Sequence, residues 1–131
     1  MKTKLSKYFK NVLVTGGSGF IGSNCIKQLL KEKEYSVFNL DKLSYSSDLK
    51  FSKSINYEEK KNYQFLQVDL NNEIETKQAI EFSHPDLIIN FAAESHVDRS
   101  ISKPRDFLES NIIGTFNLLE ASRNYWNNLP L

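Results

Sequence analysis

Several residue types are scarce in this chain, and each scarcity removes a class of protein. One cysteine, Cys25, in 131 residues allows no internal disulfide, and a reducing, cytoplasmic compartment is the simplest expectation. Cys25 falls on the apolar stripe expected for the first helix, so it reads as a small core residue rather than a reactive thiol. Two histidines, His84 and His96, without a second cluster of ligands, give no support for a metal site. No apolar run approaches the length needed to span a membrane. Charge is nearly balanced, 17 Lys and Arg against 16 Asp and Glu, a net +1. That gives no electrostatic reason to expect nucleic acid or an anionic membrane as partner. Lys2, Lys4, Lys7 and Lys10 gather at the start, but no apolar segment follows them before the first strand, so they are not expected to form a signal peptide. Residues 1–10 are therefore expected to form a basic, solvated tail and residues 11–131 a single folded domain. With 40% hydrophobic and 25% charged residues the domain is expected to be globular and soluble.

Glycine is scarce as well, five in all, yet four stand within residues 16–22. They follow the apolar run Val12-Leu13-Val14 and open onto an amphipathic segment. Gly17, Gly19 and Gly22 fit G-x-G-x-x-G, and Gly16, Gly19 and Gly22 fit the wider G-x-x-G-x-x-G. A strand that turns tightly into a helix directs free backbone N–H groups, and the positive end of the helix dipole, at whatever lies above the turn, which suits a pyrophosphate. Glycines also gather in ordinary strand-to-helix turns. Here the required context is present: a strand before, a helix after, and an acid, Asp41, about 20 residues on. Asp41 closes the second apolar run, Tyr35 to Leu40. Its carboxylate can accept from both hydroxyls of an adenosine ribose and would repel a 2′-phosphate, which favours NAD over NADP. Lys42 next to it softens that selection.

The pattern predicts a first strand over Asn11–Thr15, a helix from Phe20 to about Lys33 with Ile21, Cys25, Ile26, Leu29 and Leu30 on its apolar face, and a second strand over Tyr35–Leu40. Residues 42–61 are polar and lysine-rich and read as a loop with at most one short helix. A third strand, Tyr63–Val68, precedes Asp69. A helix from Asn72 to Phe82 follows, with Ile74, Ala79 and Ile80 inward and Pro85 as its stop. The fourth strand, Asp86–Phe91, is apolar enough to be central. Ala92–Lys103 is expected to be a loop. Pro104 opens a long helix reaching about Trp126, with Leu108, Ile112, Phe116, Leu119 and Trp126 on its apolar side and Gly114 at a close helix contact. This alternation predicts an α/β fold: a Rossmann-type parallel sheet of about four strands with helices on both faces.

In such a sheet ligands lie at the carboxyl ends of the strands. The glycine turn, Asp41, Asp69 and the loop Ala92–Arg99 all fall there. Asp69, with Leu70, can face an adenine and accept from its amino group, or simply be the acid at a helix start. Ala92 and Ala93 leave room for a cofactor to touch backbone. His96 fits a base, a ligand or a structural histidine.

These residues give the sequence a specific resemblance. The stretches Thr15–Ser23, Asp41-Lys42-Leu43-Ser44-Tyr45, Val68-Asp69-Leu70, Ala92–Ile101, and Asn111–Ala121 with Tyr125-Trp126 resemble the N-terminal part of the extended short-chain dehydrogenase/reductase family. Within it the block Ala-Ala-Glu-Ser-His-Val-Asp-Arg-Ser is similar to the branch of nucleotide-sugar 4,6-dehydratases that act on dTDP-glucose. The likeness covers nearly all of residues 11–126. It implies NAD contacts at Phe20 and Ile21, at Asp41, Lys42, Leu43 and Ser44, at Asp69 and Leu70, at Phe91, Ala92, Ala93, Glu94 and Ser95, and at Ser110. It also implies a sugar contact at Ser95. The implied chemistry is an internal redox elimination: hydride leaves C4 of the glucose for NAD, water leaves across C5–C6, and the hydride returns to C6. The family's proton-transfer groups, a Thr-Asp-Glu group and a Tyr-x-x-x-Lys pair, belong to a later part of the fold and have no counterpart here. The one formal match, Tyr57 to Lys61, precedes the third strand and is taken as chance. Residues 11–131 are thus expected to be the NAD-binding portion of an incomplete Rossmann domain whose C-terminal half is missing, inactive alone, with a nucleotide-sugar substrate only if a C-terminal part completes it. The family is typically homodimeric. A non-catalytic dinucleotide-binding remnant, or a fragment of a related epimerase or decarboxylase, is the alternative.

Overall fold

The computed structural model describes residues 7–43, 51 and 54–130. Four parallel strands, β1 (Asn11–Thr15), β2 (Ser36–Asp41), β3 (Tyr63–Gln67) and β4 (Leu87–Asn90), form one sheet in the order β3-β2-β1-β4. The registers Val14 to Asn39 and Val14 to Ile89 put the carboxyl ends of β1, β2 and β4 side by side. Helix α1 (Phe20–Lys31) links β1 to β2, and α2 (Tyr57–Lys60) leads into β3. Helix α3 (Glu73–Ser83) links β3 to β4. After β4 come α4 (Val97–Ser102), α5 (Pro104–Leu108), a π-helical turn (Glu109–Ile113) and α6 (Gly114–Asn127).

Period-two alternation along β1 divides the core between the two sheet faces. Val12 and Val14 pack with Ile26 and Leu30 of α1, with Tyr35 and Val37, and with Phe51 and Ile55. Leu13 points the other way and packs with Leu40, Leu70, Ala79 and Ile80 of the α3 side and Leu118 and Ala121 of α6. Helices therefore cover both faces, as the pattern predicts. Phe51 and Ile55, in a segment read only as polar loop, are core residues; Phe51 lies edge-on to Tyr63 at 6.3 Å. Helix α2 begins with a capping box. The Asn56 side chain accepts from the Glu59 N–H, and the Glu59 carboxylate accepts from the Asn56 N–H.

Four expectations about faces are corrected. In α1 the buried residues are Gly22, Ser23, Ile26 and Leu30; Ile21 is exposed and Cys25 half-buried, because the helix turns its small residues toward the sheet. Burial still raises the Cys25 thiol above its ordinary pKa. In α3, Ile74 is exposed, and Thr76 and Ser83 join Ala79 and Ile80 inside, each bonding a carbonyl of its own preceding turn. Strand β4 stands at the sheet edge and its residues are only partly buried. The largest difference is in the last helix: Leu108, Ile112, Phe116, Leu119 and Trp126 are exposed, whereas Gly114, Asn117, Leu118, Ala121 and Ser122 are buried. Part of the expected Ala92–Lys103 loop is helix α4, and the expected long helix is interrupted by the π-helical turn. Among the described residues no helix is long and apolar enough to cross a membrane.

Candidate cofactor-binding site

A cavity of about 450 Å³ lies at the carboxyl ends of the strands. Its walls come from four separate stretches. Gly16, Gly19, Phe20, Ile21 and Gly22 belong to the β1–α1 turn; Leu40, Asp41 and Lys42 to the end of β2; Val68, Asp69 and Leu70 to the segment after β3; and Phe91, Ala92, Ala93, Ser95 and His96 to the loop after β4. Ser110, from the π-helical turn, completes it.

The turn is built from backbone requirements. Gly16 has φ +65°, and a Cβ there would lie 2.6 Å from the Ala92 nitrogen. A Cβ on Gly22 would overlap the Gly16 carbonyl oxygen, so this glycine lets α1 start against the end of β1. Gly19 differs. A Cβ there would meet only the Gly16 oxygen, at 3.4 Å, an ordinary contact. Packing within the chain leaves its small size unexplained, whereas its place in the cavity wall explains it. The first intrahelical bond of α1 runs from the Ser23 N–H to Gly19 O at 2.9 Å. The N–H groups of Phe20, Ile21 and Gly22 thus have no acceptor within the helix, and among the described residues no side chain caps it. These residues line the cavity, at the positive end of the α1 dipole.

Asp41, at the end of β2, is nearly buried. Its Oδ2 accepts from the Ser18 N–H at 3.1 Å and its Oδ1 from the Leu43 N–H at 2.7 Å. Leu43 takes a left-handed conformation, φ +57°, as the chain folds back toward that carboxylate. A carboxylate there is an acceptor at the cavity wall. Below the turn, fully buried Asn39 donates to Ser18 Oγ at 3.0 Å and to Tyr63 Oη at 2.9 Å, tying the turn to β3. Across the site Asp69 Oδ1 accepts from the Asn71 N–H at 3.0 Å in a turn before α3, whose cap is Asn72, and Asp69 also lines the cavity.

The loop after β4 is held from two sides. Asn90 Oδ1 accepts from Thr15 Oγ1 and from the Ala92 N–H. The Asn111 side chain then brackets the Glu94 backbone, accepting from its N–H at 2.8 Å and donating to its carbonyl at 3.0 Å. Asn111 belongs to the π-helical turn, as does Ser110.

Of the residues expected at the site, all but three line the cavity. Leu43 stands beside it and serves Asp41 through its N–H. Glu94 lies behind the wall, paired with Lys42 at 3.3 Å. Ser44 lies outside the described residues, as do Lys2, Lys4 and Tyr45. Leu40, Val68 and His96 line the cavity without having been singled out for it. The first two are end residues of strand runs whose spacing already put neighbours there, while His96 was open among three roles. The Tyr57–Lys61 pair stands at the amino end of β3, the opposite end of the sheet from the cavity.

A parallel sheet in the order 3-2-1-4, with a glycine turn after its first strand and an acid at the end of its second, defines the dinucleotide-binding Rossmann class. Within that class the chain belongs to the GDP-mannose 4,6 dehydratase family, whose profile its residues 13–130 match. It is 44% identical over 121 residues to the dTDP-glucose 4,6-dehydratase of Neisseria gonorrhoeae, covering 92% of this chain and 34% of that protein. The dTDP-glucose 4,6-dehydratase DesIV of Streptomyces venezuelae, solved with NAD and TYD bound, superposes with a TM-score of 0.78 at 34% identity, over 88% of this chain and 36% of that one. The UDP-glucose 4-epimerase of Thermus thermophilus, solved with NAD, gives a TM-score of 0.74 at 33% identity, over 88% of this chain and 34% of that one. The chain spans about a third of the length of these relatives.

Proposed function

We propose that this chain, over residues 11–131, is the NAD-binding portion of a dTDP-glucose 4,6-dehydratase that works in the cytoplasm. One observation carries the reading: the cavity unites the glycine turn, Asp41, Asp69 and the Ala92–Ser95 loop, which lie far apart in sequence. The free N–H groups at the start of α1 suit a pyrophosphate. The Asp41 carboxylate, at the cavity wall, suits ribose hydroxyls, and Asp69 with Leu70 forms the wall suited to adenine. Phe91, Ala92 and Ala93 form an apolar floor, Ser110 adds a hydroxyl, and Ser95 is the residue assigned to the sugar. When bound, NAD supplies the hydride acceptor and later the donor of an internal redox elimination. The 131 residues hold no Thr-Asp-Glu group, and their one Tyr-x-x-x-Lys spacing lies at the far end of the sheet. We therefore expect no dehydration by this chain alone and catalysis only together with a C-terminal part.

Calorimetric titration of the chain with NAD should show saturable one-to-one binding. Asp41→Ala should weaken it about tenfold or more, the loss of a charged hydrogen-bond acceptor. Absence of NAD binding would overturn the reading of the cavity. Turnover of dTDP-glucose by the purified chain would overturn the expectation of inactivity.

A further inference from the structure

The proposed NAD site contains one charge that its selectivity argument leaves unexplained. Among the described residues lining the cavity, Lys42 is the only lysine or arginine, and it directly follows Asp41. A free ammonium there would attract a 2′-phosphate and offset the repulsion from the Asp41 carboxylate. It is engaged instead: Lys42 Nζ lies 3.3 Å from Glu94 Oε1, with Lys42 32% and Glu94 8% exposed. The two residues follow strands on opposite sides of β1, Lys42 after β2 and Glu94 after β4, so the pair crosses the end of β1. Glu94 is the fixed member, because Asn111 brackets its backbone with two hydrogen bonds. Lys42 is the member that reaches.

We propose that Glu94 is a specificity residue: by holding the Lys42 ammonium it withholds from the cavity the cation that a 2′-phosphorylated dinucleotide would need. Discrimination against NADP then has two parts, repulsion by Asp41 and sequestration of Lys42 by Glu94. Asp41, Lys42 and Glu94 together carry one net negative charge, which a 2′-phosphate meets and two ribose hydroxyls do not. The inference rests on the NAD reading of the cavity.

The test is calorimetric binding of NAD and of NADP to the full chain and its variants. Glu94→Gln frees Lys42 and keeps the side chain's size. It should strengthen NADP binding on the order of tenfold while NAD affinity changes less than about threefold. The double variant Lys42→Met/Glu94→Gln should show no such gain. An unchanged ratio in Glu94→Gln, or a gain that survives in the double variant, overturns the proposal. The same double variant covers the case in which Glu94→Gln fails to fold. It keeps the net charge of the wild-type trio and removes an ammonium that is already withheld, so its NAD-to-NADP ratio should lie within about twofold of the wild type's, and a marked loss of NADP affinity in it overturns the proposal. A wild-type chain that binds neither dinucleotide overturns the reading of the cavity and this proposal with it. A chain that binds NAD but whose ratio ignores Glu94 overturns this proposal alone.

Discussion

Helix α1 borders the cavity and helix α6 continues from the π-helical turn that completes it, yet different means hold the two. Helix α1 is anchored by apolar area: Ile26 and Leu30 are buried among Val12, Val14 and Val37, each worth roughly 1.5–3 kcal/mol. Helix α6 turns Phe116 and Leu119 outward and buries Gly114, Asn117, Leu118, Ala121 and Ser122. Beside the apolar contacts of Leu118 and Ala121, its attachment is closeness and hydrogen bonding. The Asn117 amide donates to Leu70 O at 2.8 Å and to Asn71 O at 3.3 Å, and Gly114 lies against Leu70. A count of apolar residues therefore identifies the inner face of the first helix approximately and that of the last one not at all. What decides is which face lets two backbones approach and satisfies the carbonyls of the segment after β3.

That contrast can be broken at its most rigid point. Gly22→Ala sets a Cβ against the Gly16 carbonyl, which cannot yield without moving the turn. We expect a loss of about 3 kcal/mol, the upper end for overpacking, read as a lower urea midpoint, together with loss of NAD binding. A midpoint and affinity like the parent's would show that the turn is not rigid. In α6, Asn117→Ala leaves Leu70 O only the long Thr76 hydroxyl contact of 3.4 Å and takes a donor from half-buried Asn71 O, and should cost about 1–3 kcal/mol in the same assay. A neutral result would mean that apolar area, not hydrogen bonding, holds this helix too. Leu119→Lys should change the midpoint of this chain least, within about 0.5 kcal/mol, as an exposed position does. A large loss there would place Leu119 in the core and reverse the comparison.

The same contrast explains what was legible in the sequence. Gly16, Gly22 and Asp41 report local backbone geometry, a turn or a strand end, so their spacing carried the class of fold and most of the cavity wall. Asp69 and Ala92–Ser95 followed because a parallel sheet puts all its strand ends on one side. Ile21, Ile74, Phe116 and Leu119 were misplaced because each helix face was judged by its own residues, whereas burial depends on what stands opposite. Phe51 and Ile55 were hidden by polar neighbours, although both pack on the α1 side of the sheet. The hold of Asn111 on Glu94, and the ion pair behind the cavity wall, join residues distant in sequence and leave no periodic trace.

The π-helical turn Glu109–Ile113 has a geometric consequence for the helix it interrupts. A π-helical turn accommodates one residue more than an α-turn, so the helix beyond it resumes out of phase, by the angle of about 100° that one residue subtends. The continuous rod is thereby split into two sectors with separate duties. The turn itself directs Ser110 at the cavity and Asn111 at the loop after β4; the helix beyond it directs Asn117 at the segment after β3 and Leu118 into the core with α3. An unbroken α-helix of this sequence could keep either set of alignments and would lose the other.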